Sequence, residues 1–153
     1  MTLNENNFMK KNLLILLLSM VFVSCATTTQ FVKYANKESV DKETARIYVI
    51  RPSTFGSAVT FNIFQDEKPV GKLGPMSFLL WDVKTNTGAI KIESKSENTA
   101  MITIQPQPGK NYYIMQKVQM GVIVARTKLE LIPEQQAIEY LKKLKEPQLK
   151  IIE

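Results

Sequence analysis

Cys25 is the single cysteine of the chain, and histidine is absent. Without histidine there is no ready general base, no neutral imidazole ligand and no group that switches near neutrality. Ser-His-Asp and Cys-His nucleophilic systems cannot be assembled, nor can a Cys/His zinc site. Catalysis would have to run on Ser, Thr or the 14 Asp and Glu residues. Asp66 and Glu67 are adjacent in a turn, where solvation explains them, whereas a catalytic carboxylate pair needs convergent side chains. Thr27, Thr28 and Thr29 sit in a polar stretch and read as linker composition, not as nucleophiles. No catalytic residue, cofactor or metal is therefore expected. The lone thiol does call for an explanation.

Its surroundings supply one. A polar stretch ends in Lys10 and Lys11, an apolar run covers Leu13 to Val23, and Ser24 precedes Cys25. A positive flank, a short apolar segment and a small residue before a cleavage point make an export signal. The run of 11 positions falls short of the roughly 20 residues of a spanning helix. Phe22-Val23-Ser24-Cys25 resembles the lipobox of bacterial lipoproteins, with Phe22 in place of the usual Leu. The resemblance implies cleavage between Ser24 and Cys25 and a diacylglycerol on the Cys25 thiol. A thioether is inert where a free thiol would oxidise. Two or three acyl chains, at ~0.8 kcal/mol per buried CH₂, hold a protein firmly to a membrane. Met9 directly precedes Lys10 and Lys11, so translation starting at Met9 would also give a compact signal.

The expected organisation follows: residues 1–24 as signal, 25–43 as a lipidated flexible tether, 44–146 as the folded domain and 147–153 as a tail. Eighteen tether residues reach up to about 60 Å. No acidic cluster follows Cys25, which favours a periplasm-facing anchor; inner or outer membrane stays open. The formal net charge is +6. Removing residues 1–24 leaves 18 basic and 13 acidic residues, or +5. Such a domain is drawn weakly to anionic surfaces. The charges are scattered and form no Arg-rich patch with interleaved aromatics, so nucleic acid is not an expected partner.

The elements that must position any site are short and strand-like. Arg46 to Arg51 is a continuous apolar run between basic residues, which predicts a central strand closed by Pro52. Val59, Phe61 and Ile63 alternate toward one face, and Asp66-Glu67-Lys68-Pro69 is a hairpin turn before a return strand from Val70 to Leu73. Phe78 to Val83, Ile90 and Ile92, Ile102 and Ile104, and Tyr112 to Met115 predict further strands. Ile123, Ala125, Leu129 and Leu131 alternate inward against Arg126, Lys128 and Glu130. Turns every 8–12 residues with period-two alternation predict an antiparallel sandwich or barrel of seven to eight strands. Pro133 and Glu134 open one C-terminal helix with the stripe Ile138, Leu141 and Leu144, ended by Pro147.

Three local motifs resemble an uncharacterised family of bacterial lipoprotein domains, catalogued as domain of unknown function 2846. They are the strand Ile47-Tyr48-Val49-Ile50-Arg51-Pro52, the turn Asp66-Glu67-Lys68-Pro69-Val70-Gly71, in which Glu67 replaces the usual Gly, and the strand entry Gly109-Lys110-Asn111-Tyr112-Tyr113-Ile114. Gly88-Ala89-Ile90 adds a Gly-led strand. The resemblance covers roughly Ala45 to Leu144. It implies a mainly β, transthyretin-like or immunoglobulin-like sandwich, and it carries no catalytic residue across.

Three side chains are candidates for surface recognition. Arg51, next to Pro52, could hold an anion, or it could form a salt bridge or cap a loop. Tyr112 and Tyr113 point to opposite faces of one strand, so one is expected in the core and the other outside. Trp81 is expected to pack in the core. The reading that results is a membrane-anchored, non-catalytic binding or scaffolding module of the cell envelope, with an envelope protein as a possible partner. The alternatives are a lipid-anchored domain binding anionic glycans or lipids, and a carboxylate- or Ser/Thr-dependent envelope enzyme.

Overall fold

The computed structural model describes residues 31–33 and 40–147. Ser24, Cys25 and the stretch expected to be a signal lie outside the described residues, as do residues 148–153. Among the described residues ten strands are formed: β1 (Phe31–Lys33), β2 (Thr44–Arg51), β3 (Phe61–Gln65), β4 (Lys68–Leu73), β5 (Ser77–Lys84), β6 (Ile90–Lys95), β7 (Thr99–Ile104), β8 (Asn111–Met120), β9 (Ala125–Leu131) and β10 (Lys145–Pro147). One helix, α1 (Glu134–Leu141), lies between β9 and β10.

The fold is a β-sandwich with a C-terminal helix. One sheet has six strands in the order β1-β10-β5-β2-β8-β9, and the other has four in the order β4-β3-β6-β7. Ala45, Ile47 and Val49 of β2 meet Ile63, Leu73, Ile90, Ile92 and Ile104 of the second sheet in the main core. The alternate residues of β2, Tyr48 and Ile50, face the other way and pack with Phe78, Tyr113, Ala137, Leu141 and Leu144 under the helix. Strand β2 is thus buried on both faces, which is why its sequence runs apolar without alternation.

Two features depart from the antiparallel expectation. β2 and β8 pair in parallel, with Arg46 opposite Asn111 and Ile50 opposite Met115, and β10 pairs in parallel with β5. A parallel pair needs a long crossover, and the four strands β3, β4, β6 and β7 of the second sheet lie within that crossover. The sheet also reaches beyond the expected domain bounds. Part of the stretch read as tether, Phe31–Lys33, is strand β1, antiparallel to β10.

Local chemistry explains the main turns. The hairpin between β3 and β4 places Asp66 at φ 48° and Glu67 at φ 69°, the left-handed pair of a type I′ turn. Glu67 holds that conformation without glycine because Asp66 is tied to Lys91 twice: its N–H donates to the Lys91 carbonyl at 2.9 Å, and its Oδ1 accepts the Lys91 N–H at 2.8 Å. The helix is shorter than its apolar stripe suggests. Lys143 and Leu144 donate to Tyr140 and Leu141, i to i−3 bonds that tighten and end it. Leu144 is buried from that turn, whereas Ala137 replaces Ile138 as the buried partner of Leu141.

Candidate functional site

The three candidate recognition residues are placed in structural roles. Arg51 is fully buried at the end of β2. Tyr113 is buried, stacks on Tyr48 with centroids 4.9 Å apart, and donates its hydroxyl to Glu134 Oε1 at 2.8 Å, fastening the start of α1. Tyr112 is half-buried; its hydroxyl donates to the Gln105 carbonyl at 2.9 Å and accepts the Gln107 N–H at 3.1 Å, closing the turn into β8. Arg51 and Tyr113 therefore offer no surface for recognition, because core packing and loop carbonyls have claimed them. Trp81 packs against the main core and donates its indole N–H to Gln65 Oε1 at 2.7 Å.

Two open depressions are shallow candidates. One, of about 490 Å³, lies beside the start of α1 between Lys110, Tyr113, Ile132 and Glu134, but the Glu134 carboxylate is occupied by Tyr113. The other, of about 590 Å³, lies between residues 41–44 and 84–86. There Asp41 Oδ1 accepts the Glu43 N–H, and the Thr85 hydroxyl donates to the Glu43 carbonyl. Among the described residues no cluster of three His, Cys, Asp or Glu could hold a metal ion.

The feature that stands apart is at the end of the sandwich where β2 finishes and the β8–β9 hairpin turns. Five apolar side chains are exposed there. Met120, Val122 and Ile123 are 82%, 86% and 88% exposed, and Val124 and Phe55 more than half. Two charged side chains build this end. The first is Arg51. Its Nη1 donates to the carbonyls of Val59 at 2.7 Å and Leu73 at 3.4 Å, and its Nη2 to Phe55 at 3.0 Å and Gly56 at 2.8 Å. Its guanidinium lies over the Phe61 ring, 4.9 Å from the centroid. Nε has no partner. Burial pushes the Arg51 pKa below its ordinary value, yet a guanidinium stays charged. The fork of donors fixes the loop from Phe55 to Val59 and sets Phe55 at the surface.

The second is Glu97, in the turn between β6 and β7. Its carboxylate accepts the backbone N–H groups of Val122 at 2.9 Å, Ile123 at 3.2 Å and Val124 at 3.3 Å. Those bonds, Val122 foremost, and the charge of Arg126 hold the carboxyl below the usual carboxylate range. Gly121 makes the cradle possible: a Cβ there would lie 2.0 Å from Glu97 Oε2. The same turn clasps the edge of β9. Asn98 donates to the Thr127 carbonyl at 2.9 Å and accepts its N–H at 2.8 Å, and Ser96 donates to the Ala125 carbonyl at 2.7 Å. The Phe55–Val59 loop lies against the last part of β8, since a Cβ on Gly56 would sit 3.1 Å from Val118 Cγ1.

Sequence reasoning missed this site. It placed Ile123 inside, in register with Ala125, and Leu131 with them. Strand β9 starts only at Ala125, Ile123 stands in the turn, and Leu131 is 53% exposed. Thr127 occupies the inward position instead, in a buried polar group with Ser94 and Gln116. The signal was present in Val122-Ile123-Val124. Three consecutive apolar residues after a glycine break the period of two, and such a run on a surface marks an interaction site.

Comparison with known proteins adds one relative. The chain is 30% identical over 106 residues to a Haemophilus influenzae protein named "Uncharacterized protein", a match spanning 69% of this chain and 62% of the relative. The chain thus spans less than two thirds of that relative's length. No protein-family model matches the chain, and no solved structure matches it significantly.

Proposed function

We propose that the chain is a lipoprotein of the bacterial cell envelope, lipidated on Cys25, facing the periplasm, and acting as a non-catalytic binding or scaffolding module through its apolar end. The observation that carries the binding role is the preorganised loop at Met120 to Val124. Its backbone donors are fixed by Glu97 while its side chains face solvent. An unformed core segment would leave both the backbone and the side chains unsettled. Here the backbone is settled and only the side chains lack a partner. The anchor rests on sequence: the basic flank, the short apolar run and Ser24-Cys25. The order of the strand, turn and Gly-Lys-x-Tyr-Tyr motifs supports kinship with the family catalogued as domain of unknown function 2846.

Replacing Cys25 with Ala tests the anchor. The variant should incorporate no radioactive palmitate and should accumulate as uncleaved precursor. A Cys25→Ala chain that matures to the wild-type size and stays membrane-bound would reject lipidation. For the binding role, Ile123→Asp should abolish any envelope crosslink made by the wild-type chain without moving its unfolding midpoint.

A further inference from the structure

We infer that the apolar end is a lipid-inserting tip: Met120, Val122 and Ile123 enter the interfacial layer of a phospholipid bilayer. Four observations point there. The β8–β9 hairpin extends past β2: strand β8 continues five residues beyond Met115, the last of its residues paired with β2, before it turns. A fluid bilayer moulds itself to the end of such a hairpin without needing a matching groove. The residues at 120–124 are aliphatic, with none of the Tyr, Trp or Arg that anchor protein interfaces.

The backbone is also prepared for a medium of low polarity. A free N–H carried into lipid is costly. The donors of Val122, Ile123 and Val124 are already bound to Glu97, whose exposed carboxylate keeps the turn at headgroup level and out of the hydrocarbon. Charge has the right sign as well. The chain carries +6; Lys117, Arg126 and Lys128 lie on the strands just behind the tip, Lys117 and Lys128 share Glu130, and Arg126 acts on Glu97, so the three cations outnumber the two carboxylates there. Anionic headgroups attract such a collar.

The test uses the full chain with Cys25→Ser, so that its result does not turn on lipidation. A single cysteine is placed at Ile123 or, as a control at the opposite end, at exposed Asn86. Each is labelled with an environment-sensitive fluorophore. The chains are reconstituted into vesicles of phosphatidylethanolamine and phosphatidylglycerol. The label at 123 should be quenched by doxyl groups on lipid chains, and its iodide quenching should fall about threefold or more below that at 86, as expected of an apolar element buried at the headgroup boundary. Val122→Asp, and separately Met120→Asp, should return position 123 to full iodide access. Equal iodide access at 123 and 86 would overturn the inference. So would shielding that survives both Asp variants, or shielding with no doxyl quenching, which would mean a protein contact. Absence of palmitate on wild-type Cys25 would sink the anchor and leave this result standing.

Discussion

Arg51 holds four carbonyl oxygens from a fully buried position with no carboxylate among its partners. Replacing it with Met keeps the length and the apolar stem and removes the fork. Hydrogen bonds to a charged group contribute about 1.5–3 kcal/mol each. Three of the four are 3.0 Å or shorter, so the gross loss is roughly 5–9 kcal/mol. Met also escapes the several kcal/mol that burying a guanidinium costs. Three of the acceptors lie near the surface and can turn to water. The balance is a loss of about 3 kcal/mol in urea unfolding free energy. Local opening should accompany it: the amides from Phe55 to Val59 should exchange faster with solvent than in the wild type. Arg51→Lys should recover part of the loss, because an ammonium is a point charge that cannot span two pairs of carbonyls. If Arg51→Met unfolds within about 0.5 kcal/mol of wild type and its loop amides keep their protection, the guanidinium is not what holds this loop.

The helix provides a second stability test. Leu141 is fully buried against Tyr48, Ile50 and Tyr113, so Leu141→Ala should cost about 2–5 kcal/mol, while exposed Lys142→Ala should change stability by less than about 0.5 kcal/mol; equal midpoints for Leu141→Ala and wild type would show that the helix is not part of the core. Glu97 gives a pH prediction. Its folded pKa lies below the ordinary value of 4.5, so the cradle is complete above that value and is lost as pH falls through the folded pKa. Protection of the Val122, Ile123 and Val124 amides, taken relative to the intrinsic exchange rate at each pH, should fall only under acid conditions, and Glu97→Gln should lower it at neutral pH. Gly121→Ala should displace the carboxylate and loosen the same three amides with little change elsewhere, read by amide chemical shifts; unchanged shifts at 122–124 would mean that the carboxylate can move aside and keep its bonds.

Much of the sandwich was legible because alternation and turn chemistry are local. Phe61 and Ile63 point inward as their spacing predicts, and so do Ile90 and Ile92. The run from Arg46 to Arg51 announced a strand buried on both faces. What the sequence could not carry was pairing across distance. The parallel β2–β8 register depends on a crossover through the whole second sheet, and no local pattern encodes it. The edge strands β1 and β10, three residues each, are too short for a period. The candidate site failed to appear for a related reason. Arg51 read in the sequence as a salt-bridge partner or loop cap, with anion binding as the alternative, and loop capping is what the structure shows; the depth of its burial was not legible. Its burial depends on loop carbonyls supplied by Phe55, Gly56, Val59 and Leu73, which become neighbours only in the folded sandwich. Glu97 is 25 residues from Val122, and nothing in either segment alone indicates the other.

The two charged side chains at this end share a logic that bears on function. Neither Phe55 nor the 120–124 turn belongs to either hydrophobic core. For stability alone, polar residues at these positions would serve as well, since surface substitutions away from special features change stability little. Polar side chains would also spare the molecule a contiguous apolar patch. Yet one loop is bound through its carbonyls by a cation and the other through its N–H groups by an anion. Each loop is thereby ordered by its backbone and needs nothing from its side chains. That division leaves Phe55, Met120, Val122 and Ile123 free to meet something else, with little further ordering entropy to lose on contact. A rigid apolar tip of this kind is what a binding role requires, and a merely structural hairpin does not.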